Sequence, residues 1–225
     1  MKILHIDSSI SGAQSVSRQL GASVIARLKE AAPDHTVVYR DLAAAPVPHQ
    51  SPSLQFAKLK VMYEAGVLSG GVGDMVATAI QAGATVDPTT EAELSVLDGV
   101  LDEFLAADVV VIGAPMYNFS IPSQLKAWID CLAVPGKTFA YTATGVEGLC
   151  GGKKLIVASS RGGFYTVGSP MASMDHQEAF LKSYFGFVGI TDMSFVRAEG
   201  VNIGPEQREQ AIASALSEIA TLKAA

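Results

Sequence analysis

The unbroken apolar run Val109-Val110-Val111-Ile112 constrains the fold more than any other feature of the sequence. A strand with one face in water alternates apolar and polar side chains. A continuous run therefore reads as a strand covered on both faces, as in a parallel sheet between two helical layers. Shorter strand-like runs lie at Ile3–Ile6, Thr36–Tyr39, Leu155–Ala158 and Met193–Val196. Between them the period becomes helical. Leu20, Val24, Ile25 and Leu28 share one face, as do Leu125, Trp128, Ile129 and Leu132, with Pro122 expected in the first turn of that helix. Asp175 and Glu178 have capping-box spacing ahead of Phe180, Leu181, Tyr184 and Phe185, and Ile212, Leu216 and Ile219 mark a final helix. Five strands alternating with helices predict an α/β protein, a doubly wound five-stranded parallel sheet with helices on both faces.

Residues 1–225 are expected to form a single domain, with an elaborated crossover at about 50–90 that is too short for a core of its own. Within it Phe56–Tyr63 and Met75–Ile80 look helical. Four glycines fall between Gly66 and Gly73, and Thr90 with Glu93 reads as the cap of a helix carrying Leu94, Leu97, Leu101 and Phe104.

Composition excludes several functions. Lys and Arg number 16 against 22 Asp and Glu, a net charge of −6, which argues against a phosphate-backbone partner, so nucleic acid is not expected. Mean hydropathy is +0.31, ample for a core, yet no window approaches the roughly 18 uncharged apolar residues of a membrane span. Met1 to Asp7 meets charge within a few residues and lacks the apolar stretch of a signal peptide, so a cytoplasmic protein is expected. Cys131 and Cys150 have neither CxxC spacing nor histidines at metal-ligand spacing. They read as thiols in a reducing compartment rather than a disulfide.

Doubly wound sheets bind ligands beyond the C-terminal ends of their strands, where the strand order reverses. Three loops occupy such places. The first, Ser8 to Ser17, carries five serines and one glycine into a helix start, where free N–H groups and the helix dipole suit a phosphate; the dipole alone contributes about 0.3–1 kcal/mol. An ordinary N-cap run would look the same. The second, Pro115-Met116-Tyr117-Asn118-Phe119-Ser120-Ile121-Pro122, holds two aromatics, a methionine and an amide between prolines, suited to a flat heteroaromatic ring or simply to loop packing. The third, Ser159-Ser160-Arg161-Gly162-Gly163-Phe164-Tyr165, has paired glycines that allow positive φ and close approach of a ligand, or a plain tight turn. Other phosphate motifs fail: Gly136-Lys137-Thr138 lacks the upstream Walker A glycine, its place being Cys131, and no GxGxxG follows the first strand.

Residues across most of the chain carry a further likeness. They are Ser9 with Ser15-Val16-Ser17, Ala114 to Phe119, Gln124-Leu125-Lys126, Thr138-Phe139 with Tyr141, Gly145 with Glu147-Gly148-Leu149, Gly152-Lys153-Lys154, Ser160-Arg161-Gly162-Gly163, and Gly186-Phe187 with Gly189 to Asp192. In these the chain resembles the FMN-dependent NADH-azoreductase family, related to the NAD(P)H quinone oxidoreductases, on a flavodoxin-like fold. The resemblance implies FMN as cofactor, with its phosphate at Ser9, Ser15, Val16 and Ser17. Met116, Tyr117, Asn118 and Phe119 would line one edge and face of the isoalloxazine, and Ser160, Arg161, Gly162 and Gly163 the other side. It also implies a homodimer with the active site at the subunit interface, and a substrate pocket lined by Phe139, Tyr141 and Phe187, partly from the neighbouring chain. NADH or NADPH would give hydride to the flavin, and a quinone or azo compound would then take its place in a ping-pong cycle without a protein nucleophile. Two departures stand out: the 50–90 segment is longer than in compact members, and Tyr165 stands where some carry histidine.

Two competing readings are weaker. A flavodoxin-type electron carrier would not need the extra length or the aromatic pocket residues. A serine hydrolase could use Ala158-x-Ser160-x-Gly162 as a nucleophile elbow, but the one later histidine, His176, adjoins Asp175 rather than following it at a distance.

Overall fold

The computed structural model describes residues 1–222. In chain order the elements are β1 (Lys2–Asp7), α1 (Val16–Ala31), β2 (Thr36–Asp41), α2 (Pro52–Glu64), α3 (Gly70–Gln81), α4 (Pro88–Ala106), β3 (Val109–Pro115), α5 (Ser123–Leu132), β4 (Phe139–Thr142), β5 (Gly145–Gly148), β6 (Lys154–Arg161), α6 (His176–Phe187), β7 (Asp192–Glu199) and α7 (Pro205–Ala220). The sheet runs β2-β1-β3-β6-β7 with every pairing parallel, the doubly wound order expected from the alternating pattern. Strand order reverses at β1 and β3.

All seven residues of β3 are buried, as the apolar run required. Side chains alternate between the two faces. Ile3, Val109, Val111, Ile156, Ala158, Val196 and Ala198 form one core with Val16, Leu20, Val24 and Leu28 of α1 and Ala211, Ala215 and Ile219 of α7. Leu4, Val110, Ile112, Leu155 and Val157, of opposite parity, are equally buried. They lie on the side of α6, whose Gln177 bonds Ser159 of the same parity. Phe104 of α4 there meets Trp128 of α5 edge-on, with centroids 6.1 Å apart at 83°, and Phe185 of α6 at 6.4 Å.

All five expected strands form, and each runs further than its apolar run because sheet pairing extends beyond the apolar residues. In β6, Ser159, Ser160 and Arg161 pair with Arg197, Ala198 and Glu199 of β7, so the loop after β6 begins at Gly162 rather than Ser159. Similarly, Gly113 to Pro115 belong to β3 and the next loop starts at Met116. The antiparallel hairpin of β4 and β5 was not legible in the sequence, being short, largely exposed and without an apolar period. It is seated by a backbone crossing: a Cβ on Gly148 would overlap the Val188–Gly189 peptide, and Gly189 has φ 96°.

Helix starts differ in detail. Asp87, not Thr90, begins α4, its carboxylate accepting the N–H groups of Thr89 and Thr90 at 3.0 Å each. Pro122 stands directly before α5. Of the glycine cluster, Gly70, Gly71 and Gly73 lie within α3. Contacts divide the chain into two compact units, one of Met1–Pro46 with the chain from Glu103 onward, the other Val47–Asp102. In the latter, α2 packs on α3, and Leu54, Ala57, Gly73 and Val76 are buried. Among the described residues no helix is long and apolar enough to cross a membrane. Cys131 and Cys150 are buried and form no disulfide.

Trp128 is fully buried, so Trp128→Ala should lower unfolding stability by about 3–5 kcal/mol in urea titrations followed by circular dichroism. Its indole N–H has no hydrogen-bond partner, so Trp128→Phe should cost much less, because only volume is lost.

Candidate functional site

The loops after β1, β3 and β6 converge at one edge of the sheet. Ser15 caps α1, its Oγ accepting the N–H of Arg18 at 3.3 Å. The earlier N–H groups of that first turn lie outside the intrahelical ladder. The Ser15 and Ser17 hydroxyls are 3.1 Å apart, both buried, beside buried Val16. Ser9 Oγ accepts the N–H of Ser11 at 3.2 Å. Hydroxyls and first-turn N–H groups thus gather where an anion would meet the positive end of the helix.

The loop after β3 closes as a tight two-residue turn. Tyr117 N–H donates to Ser120 O at 2.9 Å and Ser120 N–H to Tyr117 O at 3.0 Å. Asn118 (φ 47°) and Phe119 (φ 71°) both have positive φ, the sign pattern of a type I′ turn. Asn tolerates this region, but for phenylalanine it costs about 1–2 kcal/mol. Phe119 is held there by His176 N–H, which donates to its carbonyl at 3.0 Å, and by the Tyr165 ring at 6.1 Å. Gly162 and Gly163, whose pairing would allow positive φ, do not have it. What Gly162 provides is closeness to Asn202, whose Nδ2 would lie 2.8 Å from an added Cβ.

Direct bonds join the three loops. Tyr117 Oη lies 3.3 Å from Ser9 Oγ and accepts the N–H of Ile10 at 3.2 Å, while Met116 N–H donates to Ser160 O at 2.8 Å. An open cleft of about 460 Å3 flanks the turn, lined by Tyr117, Asn118, Ser120, Ser123, Lys126 and Phe180.

Behind these loops lie two charged networks whose pairings the sequence did not show. Arg18 of α1 binds Asp41, the Tyr39 hydroxyl and the Ser9 carbonyl. Burial and the neighbouring Asp7 carboxylate push the Tyr39 hydroxyl up to about 12. Arg161, 1% exposed, reaches Asp175 at 2.9 Å and Glu178 and Glu199 at 3.2 Å each. Its guanidinium is therefore committed to protein carboxylates. Glu199 in turn accepts Tyr165 N–H and Thr166 Oγ1–H at 2.8 Å, fixing the loop after β6. Asp175 caps α6 as expected, but Glu178 does not reach back to complete a capping box; it binds Arg161, Arg197 and Lys182 instead. Spacing could show only the i, i+4 pair with Lys182, because Arg161 and Arg197 come from β6 and β7.

Ser160 sits inside β6, and no helix begins before His176 apart from one short 3-10 turn, which removes the nucleophile-elbow reading. Phe139, Tyr141 and Phe187 do cluster, Phe139 lying 5.4 Å from Tyr141 and 4.9 Å from Phe187. Their place is unexpected. His176 touches the Phe119 turn, whereas Phe187 closes the other end of α6, about 16 Å along the axis at 1.5 Å per residue. Tyr141 is 76% exposed and Phe187 42%. Within one chain Phe187 thus lies at the end of α6 opposite the one that meets the Phe119 turn.

The strand order and the loop site together define a flavodoxin-like protein, and the chain belongs to the flavodoxin-like fold family, which matches residues 1–222. More particularly, it is 52% identical over 224 residues to an FMN-dependent NADH:quinone oxidoreductase of Bradyrhizobium sp. (strain BTAi1), covering all of both chains. An azoreductase from Bacillus anthracis str. Sterne shares 32% identity with a TM-score of 0.79, covering 98% of this chain and 97% of that one. An FMN-dependent NADH-azoreductase from Bacillus anthracis str. Ames Ancestor, solved in complex with FMN, shares 25% identity at a TM-score of 0.80 over 97% of this chain and 95% of its own. The resemblance read from the sequence is borne out.

Desolvation raises the pKa of Glu178, but its bonds to Arg197 and Lys182 outweigh this and hold the carboxyl at about 2, below its usual 4.5. A depressed folded-state value means stability that is present above the unfolded value and lost as pH falls through the folded one. Wild-type urea midpoints should therefore drop between about pH 4.5 and pH 2. Glu178→Gln should start lower at neutral pH and fall less across that window; parallel profiles would contradict this.

Proposed function

We propose that the protein is an FMN-dependent NAD(P)H oxidoreductase that reduces quinones or azo compounds as a cytoplasmic homodimer. The observation that carries this reading is the continuous surface made when Tyr117 bonds the serine loop and Met116 bonds Ser160, running from a helix start to a strained aromatic turn. The donor set fits FMN. Hydroxyls of Ser9, Ser15 and Ser17 and the N–H groups of Val16 and Ser17 suit one compact phosphate, and the 116–119 and 160–163 segments offer backbone and flat apolar surface to a ring. Bound there, FMN would supply the hydride chemistry that no side chain of the site can perform.

The chain's own residues bind and orient. The turn fixes Met116, Tyr117, Asn118 and Phe119 along one edge of the ring, where the Asn118 amide is a candidate donor to charge developing on it. Ser160, Gly162 and Gly163 would border the other side. Arg161 would contribute through its backbone, since its guanidinium is engaged by three carboxylates. Phe119 and Tyr165, in edge contact, would keep water from the covered face.

Heating should release FMN, identifiable by chromatography; FAD, or no flavin after reconstitution, would refute the assignment. Donor and acceptor would use one site in turn, so NADH against a quinone should give parallel double-reciprocal lines, and intersecting lines would mean two simultaneous sites.

The homodimer reading is supported by the aromatic trio. Phe187 lies at the end of α6 opposite the residue that meets the Phe119 turn, which favours a ring in a second copy, and the exposed apolar surface of Tyr141 and Phe187 calls for a partner. The protein should sediment as a dimer, and Tyr141→Ala should raise acceptor KM with FMN affinity unchanged. A fully active monomer would overturn the shared-site reading.

A further inference from the structure

We infer that Arg18 is a positioning residue for the flavin phosphate, its guanidinium holding the Ser9–Ser17 loop in the shape that receives the dianion. The inference rests on the reading of that loop as a flavin-phosphate site.

All five N–H donors of Arg18 are engaged. Nε and Nη2 donate to the Ser9 carbonyl at 3.3 and 2.8 Å, Nη1 and Nη2 donate to the two Asp41 oxygens at 2.7 Å each, and Nη1 also donates to Tyr39 Oη at 3.1 Å. The Tyr39 hydroxyl in turn donates a hydrogen bond to Asp7 Oδ2 at 3.0 Å, and Asp7 lies 3.6 Å from Arg18. One arginine against two aspartates leaves this cluster with a net charge of about −1. It therefore cannot attract a phosphate by charge. What the guanidinium supplies is direction. It holds the Ser9 carbonyl on the guanidinium, while Ser9 Oγ stays bonded to Ser11 N–H and beside Tyr117 Oη. The backbone N–H of Arg18 is the one Ser15 caps. Arg18 thus ties both ends of the loop together. Without the fork, the Ser9 carbonyl could turn toward the dianion, and two carboxylates would stand uncompensated behind it.

Riboflavin carries the same ring system without the phosphate, so it separates loop positioning from general loosening of the fold. Apoprotein prepared from the full chain is titrated with FMN and with riboflavin, following quenching of flavin fluorescence. Arg18→Met should weaken FMN about 10–100-fold, the range expected for losing charge-assisted hydrogen bonds, and riboflavin by less than about threefold. Arg18→Lys keeps the charge but cannot reach Ser9, Asp41 and Tyr39 together, so it should lose at least about tenfold for FMN as well. If Arg18→Met does not fold, Arg18→Lys decides. Equal losses for both ligands, or FMN binding by Arg18→Lys at wild-type strength, would overturn the inference. Wild-type protein binding FMN no tighter than riboflavin would instead sink the phosphate reading of the loop, before any variant is compared.

Discussion

The burial of β3 on all sides is the constraint from which the rest follows. Paired to β1 and β6, with every one of its seven residues buried, this strand meets water only where it ends. Its neighbours end at the same edge because the pairings are parallel and in register, Asp7 opposite Gly113 and Ser160 opposite Pro115. Three chain segments thus leave the sheet side by side, and whatever they carry is brought together without a dedicated scaffold. The strained turn at Asn118 and Phe119 is affordable only there, anchored to a strand that cannot shift and to the start of α6.

Both arginines near the site follow one rule. Arg18 and Arg161 each face an excess of carboxylates; Arg18 binds the Ser9 carbonyl directly, and Arg161 holds Glu199, which accepts the Tyr165 N–H. A buried ion cluster of this kind adds little net stability compared with apolar packing, yet its bonds are directional and set the path of a loop. In the proposed site, the uncharged donors at the α1 start and the glycines after β6 would face the ligand. Charge is kept one layer back, where it shapes the surface without dominating it.

The sheet was legible because burial on two faces leaves an unmistakable apolar run, and the serine loop because a helix start after a strand is a local pattern. Loop limits were less so: Ser159 to Arg161 are polar yet paired in β6, and polarity alone read as loop. The positive φ at Phe119 was invisible, since nothing local favours it and the bonds that enforce it come from Ser120, His176 and Tyr165. Nothing local marked Arg18, and Glu178 showed only capping-box spacing, because their strand partners are distant in sequence, Asp41 for one and Arg161 and Arg197 for the other. The aromatic trio was gathered correctly, but the place of Phe187 at the opposite end of α6 from the Phe119 turn only emerged from the packing.

The crossing of Gly148 over Gly189 sets how the hairpin can change over evolutionary time. Because main chain rests directly on main chain, the gap between β5 and the end of α6 is held at its minimum and no side chain can widen it without prising the hairpin off. Tyr141 and Val146, which point outward, lie beyond that rivet and can be exchanged while the frame stays put. Diversification in this part of the molecule is thereby channelled into the identity of a few projecting groups, with their height above the surface inherited unchanged.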